Sequence, residues 1–470
     1  QHNPQVRNQS RMSVEQYIRN LSGVNNKGDF SKEYLTAIYQ AIQQDEILMP
    51  EEHEGLLGFN YAWKQLQHRS ESAGLFEPCS TLVYDQFMFK LIWKPLMAAI
   101  SCAFTTAQDD NTLEKAITAF RHCATLAANF ELVDVFDSII LNLAQTTGLL
   151  DNPAFAGPDP IVDVAGQKFV VSKLAVKFGH NYKGQLAAVV LFTVVTRYGD
   201  SLRKSWTKVL EIIKNLFLNS LLPNAMLRVE DFLSRTRDIP LKPKISKLSK
   251  QTARRDGSLL STLSSYLLSP YSSDEAYSRD PTEEEVEMTM CAVDCVTACK
   301  LQELFADVTS FSLETQKCLL TAVRSVGYNE KEMEKSTITI PYDPVAALFL
   351  EFMVTITIRN AERIEKLWPY AADYILGILS FAEKQSVLVV ERAVVGLLRL
   401  CICAASRNVL LDKILKCLTI LRDFPPSVTQ TVAEQIMTGA TSLSSVQSEY
   451  RNDPEFCELI LELKNITPEN

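Results

Sequence analysis

What most constrains this chain is the spacing of its apolar residues. They recur every three or four positions along most of its 470 residues, and only 16 Gly and 19 Pro interrupt them. At 100° of rotation per residue that spacing draws a stripe down one side of an α-helix, whereas a half-buried strand needs strict alternation. In Thr112–Phe130 the stripe is Leu113, Ala116, Ile117, Phe120, Cys123, Ala124, Ala127 and Ala128, with Glu114, Lys115 and Arg121 turned away from it. Comparable stripes run through Tyr84–Phe104, Leu132–Leu143, Gln185–Tyr198, Leu202–Leu218, Glu284–Phe305, Pro344–Asn360, Arg363–Ala382 and Leu388–Ala404. Strict alternation over strand lengths is scarce, and the Thr337–Ile340 stretch is too short to build a sheet. The chain is expected to be all-α.

Helices of roughly 15–20 residues, joined by short polar breaks as consecutive antiparallel pairs, fit an armadillo- or HEAT-like α-solenoid. Wide apolar stripes are what helices buried between stacked neighbours require. Three breaks mark boundaries: Met49–Gly58, Asp151–Gly166 and Asp238–Thr282, the last rich in Ser and Lys and then acidic.

Charge and cysteine content narrow the function. With 47 basic and 56 acidic residues the net charge is −9, so no basic field covers the whole molecule and nucleic acid is not expected as a partner. The longest apolar run, Ala187–Val195, falls well short of the ~18 residues that span a bilayer. The chain opens on Gln1 with no targeting segment, as a fragment of something longer would. The 11 Cys are scattered through apolar stretches, which is how reduced thiols pack as small hydrophobes. Cys291, Cys295 and Cys299 would line one helix face. No His follows His180 to close a metal site, and the five His lie in separate segments. No phosphate-binding glycine loop and no nucleophile elbow occurs. A self-contained enzyme, a metal site and a cofactor are therefore not expected. The four Trp (Trp63, Trp93, Trp206, Trp368) are expected in the core, and Trp368-Pro369 as a helix end.

Near the start, Met12-Ser13-Val14-Glu15-Gln16-Tyr17-Ile18-Arg19-Asn20 offers a capping box through Ser13 and Gln16. A Gly/Asn turn follows at Gly23–Phe30, then a helix over Lys32–Glu46. The residues His2-Asn3-Pro4 with Val6, the Met12–Asn20 segment, Gly23-Val24-Asn25 with Gly28-Asp29-Phe30, and the Tyr34–Ile42 face together resemble the end of the catalytic domain of guanine-nucleotide exchange factors for Arf GTPases. Downstream, Phe178–Asn181, Arg197–Arg203, Trp206, Leu221-Leu222-Pro223 and above all Val390–Leu400 resemble the large Golgi-type members, the Golgi-specific brefeldin-A-resistance factors and their fungal relatives. The resemblance implies last catalytic-domain helices over 1–54, a first downstream solenoid over 55–237 and a linker over 238–282. A continuing solenoid over 283–470 follows, with a second downstream region from about residue 336.

It also implies an activity: GDP release from an Arf-family GTPase on Golgi membranes, leading to coat protein I recruitment. In that family a glutamate in a motif resembling F-R-L-P-G-E enters the nucleotide site and repels the phosphate, an electrostatic device that needs no covalent chemistry. That motif is absent here, so this segment is expected to serve membrane targeting, regulation and partner binding rather than exchange itself. Only His2 and Asn3 carry over as remnants beside the GTPase groove. A cytosolic protein held peripherally at the Golgi, and a Rab-family GTPase as a recruiting partner, belong to the same expectation. The competing reading is a non-catalytic solenoid scaffold or transport receptor.

The linker is the second candidate site. Lys242, Lys244, Lys247, Lys250, Arg254 and Arg255 fall in a stretch without an acid. The sequence Ser258–Ser269 follows, and in it Leu259, Leu260, Leu263, Tyr266 and Leu267 share an arc of roughly 120° on a helix, opposite Ser and Thr. Bulky apolar groups opposite small uncharged ones resemble a lipid-packing sensor, and the basic run adds attraction to anionic headgroups. At about 1.5–3 kcal/mol per buried side chain, before entropic losses, five of them support weak, reversible binding. The same helix could instead dock on the solenoid, and the residues alone leave both readings open. For Val390–Leu400, with Glu391, Arg392 and Arg399 among apolar residues, ion pairing between helices and a partner surface are both open.

Overall fold

A computed structural model describes residues 12–44, 55–74, 81–151, 159–164, 166–233, 235–240, 280–327 and 340–466. The chain divides into two compact units, Gln1–Tyr84 and Asp85–Asn470.

The first unit holds α1 (Val14–Asn20), α2 (Lys32–Gln44) and α3 (Gly55–Ala73). Ser13 begins α1 with the expected capping box: its hydroxyl accepts the Gln16 N–H, and the Gln16 side chain accepts the Ser13 N–H at 2.9 Å. The turn into α2 carries Asn26 and Lys27 at positive φ, closed by backbone hydrogen bonds between Asn25 and Gly28. The Asp29 carboxylate gathers the Gly23 N–H and the Ser22 hydroxyl, which lower it from its ordinary value. Tyr39 then ties α2 to the chain before α1, donating to the Met12 carbonyl. Trp63 on α3 is 52% exposed, not a core residue as its size suggested.

The second unit is a stack of helices: α4 (Asp85–Thr106), α5 (Asp110–Asn129), α6 (Val133–Thr146), α7 (Lys173–His180), α8 (Tyr182–Tyr198), α9 (Trp206–Leu218), the single turn α10 (Asn224–Leu227), α11 (Glu283–Ala298), α12 (Leu313–Gly327), α13 (Pro344–Arg359), α14 (Ile364–Leu379), α15 (Val387–Ser406), α16 (Leu411–Arg422), α17 (Pro426–Ser445) and α18 (Pro454–Lys464). The all-α, solenoid-like expectation holds. Packing runs down the stack from α4 on α5, through α6 and α8, to α9 on α12, α12 on α13, α13 on α15, α15 on α17 and α17 on α18. Among the described residues, one hydrophobic core runs from Phe89 to Leu463. Polar residues begin many of the helices: Asp109, Ser172, Asn181, Ser386 and Asp453 cap α5, α7, α8, α15 and α18. Thr282 and Glu285 form a second capping box on α11, whose first turn holds Glu283, Glu284 and Glu285.

Five elements depart from the sequence reading. Two short antiparallel hairpins interrupt the helices: β1 (Ile161–Val164) with β2 (Gln167–Val170), and β3 (Arg228–Asp231) with β4 (Arg235–Asp238). The helix expected over Glu284–Phe305 ends at Ala298, where Lys300 turns left-handed at φ 50°. Pro369 does not end a helix but lies inside α14, whose buried Ile364, Leu367, Trp368, Ala371 and Ile375 outweigh the lost hydrogen bond. The stretch Leu82–Thr106 proves long and apolar enough to cross a membrane, where the sequence reading found none. Its inner side is nevertheless built into the core: Phe89, Met97, Ile100 and Phe104 are buried, and the Phe104 and Phe120 rings meet edge to face at 5.9 Å. We therefore treat it as a surface helix.

Candidate functional site

The two candidate sites read from the sequence lie outside the described residues. This holds for the groove remnants His2 and Asn3 and for the basic run Lys242, Lys244, Lys247, Lys250, Arg254 and Arg255. It holds equally for the apolar set Leu259, Leu260, Leu263, Tyr266 and Leu267. What the structure does show is how the body anchors the chain on either side of residues 241–279.

The N-terminal anchor is the β3–β4 hairpin, and the Val390–Leu400 segment holds it. Arg392 and Arg399 lie seven residues apart on α15, hence on one face, and both reach the Glu351 carboxylate of α13. Arg392 meets Oε1 at 2.8 Å and Arg399 meets Oε2 at 2.9 Å, so both oxygens are engaged. The same two guanidinium groups extend to the hairpin. Arg392 donates to the Glu230 carbonyl at 2.6 Å, and Arg399 pairs with the Glu230 carboxylate at 3.0 Å. Asp231 lies 3.9 Å from Arg392. The side chains of Glu351, Arg392 and Asp231 are 3–7% exposed, so the pairing is almost dry and each charge depends on its neighbours. Helix-to-helix ion pairing is therefore the role of Arg392 and Arg399. Beyond the hairpin, the Tyr342 hydroxyl donates to the Pro240 carbonyl at 2.7 Å.

The Arg197–Arg203 segment is likewise a joint. Asp137 on α6 takes backbone N–H groups of Arg203, Lys204 and Ser205 at 3.0–3.1 Å, supplying from another helix the cap that Ser205 does not give α9. Asp200 reaches across to the start of α12, accepting the Ser312 N–H at 2.6 Å and the Thr315 hydroxyl at 2.7 Å. Burial raises the Asp200 carboxyl, but those hydrogen bonds and the Arg203 charge outweigh it and hold the group below its ordinary 3.8. The described cysteines are free thiols, and burial pushes that of Cys123 up to about 11, as expected of an inert packed group.

One surface escaped the sequence reading. The outward side of the first half of α4 carries Phe87 (68% exposed), Met88, Leu91 (73%) and Ile92, bordered by Lys90 and Lys94. Exposed apolar side chains gathered on one helix face mark contact surfaces more often than singly scattered ones. The signal was present as an apolar stripe too wide for one buried side, but width alone does not distinguish burial on two sides from a face left open.

Comparison with known proteins matches residues 1–47 to the Sec7 domain. A Caenorhabditis elegans Golgi-specific brefeldin A-resistance guanine nucleotide exchange factor 1 homolog is 32% identical over 94% of this chain and 23% of its own length. The Arabidopsis thaliana ARF guanine-nucleotide exchange factor GNOM is 26% identical over 99% of this chain and 31% of its own. ARF guanine-nucleotide exchange factor 2 of Saccharomyces cerevisiae is 29% identical over 69% and 23%. The chain thus spans about a quarter to a third of the length of these curated relatives. Over nearly all of its residues, this chain is similar to one segment of much longer ARF guanine-nucleotide exchange factors, a Golgi-specific brefeldin A-resistance factor homolog among them.

Proposed function

We propose that this chain is the membrane-targeting and regulatory segment of a factor that activates an Arf-family GTPase on Golgi membranes. The observation that carries the reading is the likeness to relatives named as ARF exchange factors over 94–99% of the chain, together with the Sec7 match at residues 1–47. Exchange itself is assigned to a glutamate loop that these residues do not contain, so the segment acts as a regulator of the GTPase and not as the catalyst. In this reading 1–54 closes the catalytic domain, with His2 and Asn3 beside the GTPase groove. Residues 55–237 and 283–470 form the downstream homology regions around the 238–282 linker. The protein is cytosolic and peripheral at the Golgi, with a Rab-family GTPase as a further recruiting partner.

Membrane contact is assigned to two apolar surfaces flanked by cations: the linker set Leu259, Leu260, Leu263, Tyr266 and Leu267, and the open face of α4. The four exposed α4 side chains lack cover from their own unit. Lys90 and Lys94 stand where anionic headgroups would meet them, each adding about 1 kcal/mol at such a surface. Co-flotation with Golgi-like liposomes tests this. Leu260→Asp with Leu263→Asp, and separately Phe87→Asp with Leu91→Asp, should each reduce flotation while leaving helicity and melting intact. Flotation unchanged in both pairs would remove membrane binding from the reading.

A further inference from the structure

Helix α4 is held in two very different ways along its length, and Pro95 stands at the junction. Inside a helix a proline has no N–H to give the carbonyl four residues before it, here that of Leu91. It also disfavours helical backbone at the residue preceding it, here Lys94. After Pro95 the helix is bound tightly into the stack. Met97, Ile100 and Phe104 are buried, and the Ser101 hydroxyl donates to the Asn142 side chain at 3.1 Å. Lys183 closes the far end, donating to the carbonyls of Thr105 and Ala107 at 2.6 and 2.9 Å. Before Pro95 the hold is slight. Phe89 is the one buried residue there, its ring 6.2 Å from that of Phe130. Gln86 donates to the Phe130 carbonyl at 2.9 Å, and Trp93 is half-buried. Phe89 and Gln86 thus both meet Phe130, the residue that ends α5. On the other side Phe87, Met88, Leu91 and Ile92 stand exposed.

We propose that α4 is hinged at Pro95: residues 96–106 are a fixed part of the stack, and residues 85–94 are a strap that opens as a unit. The gap in the hydrogen-bond ladder, the change in burial and the change in bonding to other helices all fall at this one residue. Released from Phe130, ten helical residues are too few to persist in water, so opening is local unfolding that stops at the proline. A surface that takes up the exposed face supplies the missing support, and the helix re-forms on it. Resting on the membrane reading above, that surface is the bilayer. The hinge then lets the strap lie flat on lipid while the stack keeps its own orientation.

Hydrogen exchange on the full chain without lipid tests the hinge by itself. Amides of 89–94, which lie beyond the first turn, should exchange at least a hundredfold or so faster than those of 97–106, with the step at Pro95. Pro95→Ala restores the missing donor and should slow exchange in 89–94 by about tenfold or more. Phe89→Ala should speed 89–94 and leave 97–106 as it was, with melting of each variant showing that the stack is intact. Equal protection on the two sides of Pro95 would overturn the proposal, as would exchange in 89–94 that ignores Pro95→Ala. A Phe89→Ala effect spread evenly through both halves sinks it too, because the helix would then open as one piece. Phosphatidylserine-rich liposomes read the lipid role separately. They should protect 89–94, and Pro95→Ala, by holding the strap closed, should weaken co-flotation. A strap that opens in water yet gains no protection from liposomes leaves the hinge standing and removes its lipid role. A chain that floats through Phe87 and Leu91 with no step in exchange at Pro95 does the reverse.

Discussion

Glu351 is the residue on which most depends. It takes both guanidinium groups of α15 in a nearly dry setting, and those groups in turn hold the β3–β4 hairpin. Truncating one member of such a cluster leaves the others charged and unpaired, which costs about 3–5 kcal/mol. Glu351→Ala should therefore lower unfolding free energy by that amount in urea titration; a loss under 1 kcal/mol would show the cluster to be solvated. Asp200 makes a different prediction. Its carboxyl is held below its ordinary 3.8 in the fold. A depressed carboxylate stabilises the fold fully above the unfolded value and loses that contribution as pH falls through the folded one. Asp200→Asn should thus lose stability relative to the parent at pH 7, with the gap closing below pH 3.8 as the parent protonates. A gap independent of pH would assign the effect to geometry alone.

At the scale of the helix, α4 shows how one element serves two surroundings. Ile100 is 7% exposed against α5, whereas Leu91, on the opposite side, is 73% exposed. Ile100→Ala should cost about 2–5 kcal/mol and Leu91→Ala close to nothing, because only the first leaves a cavity. Equal effects in thermal melting would mean that Leu91 is covered in solution. The same helix marks the limit of what the sequence made legible. Where a stripe has a charged opposite face, as in α5, its buried set is recoverable: Leu113, Ala116, Phe120, Cys123, Ala124 and Ala127 are all in the core. Where apolar residues surround the helix, periodicity cannot say which side meets protein, and the open face of α4 was not singled out. Pro369 failed as a helix end for a related reason, since local backbone preference yields to burial that depends on distant helices. The clamp was only half legible. Arg392 and Arg399 announce a need for acids, yet Glu351, 41 residues before Arg392, and Glu230, 162 residues before it, are found only through the fold.

At the scale of the whole second unit, its helices before and after residues 241–279 form one body. α9 packs on α12, the Trp206 and Phe311 rings lie 6.2 Å apart, and Asp200 bonds directly to Ser312 and Thr315. The linker joins two halves already joined by core. Cutting the chain within 241–279 should leave both pieces associated through gel filtration and melting in a single transition. Pieces that separate without denaturant would show the shared core to be too weak to hold them.

The anchoring of Pro240 by Tyr342, beside the Arg392 clamp, has a consequence for how such a chain can change over time. Both ends of residues 241–279 are fixed on the same body, so whatever runs between them is a closed loop, and each doubling of its length costs only about 0.6 kcal/mol. The helices therefore exert almost no selection on how long that loop is or what it encodes. New recognition sequences can be acquired there, or old ones discarded, without renegotiating the packing of a single helix.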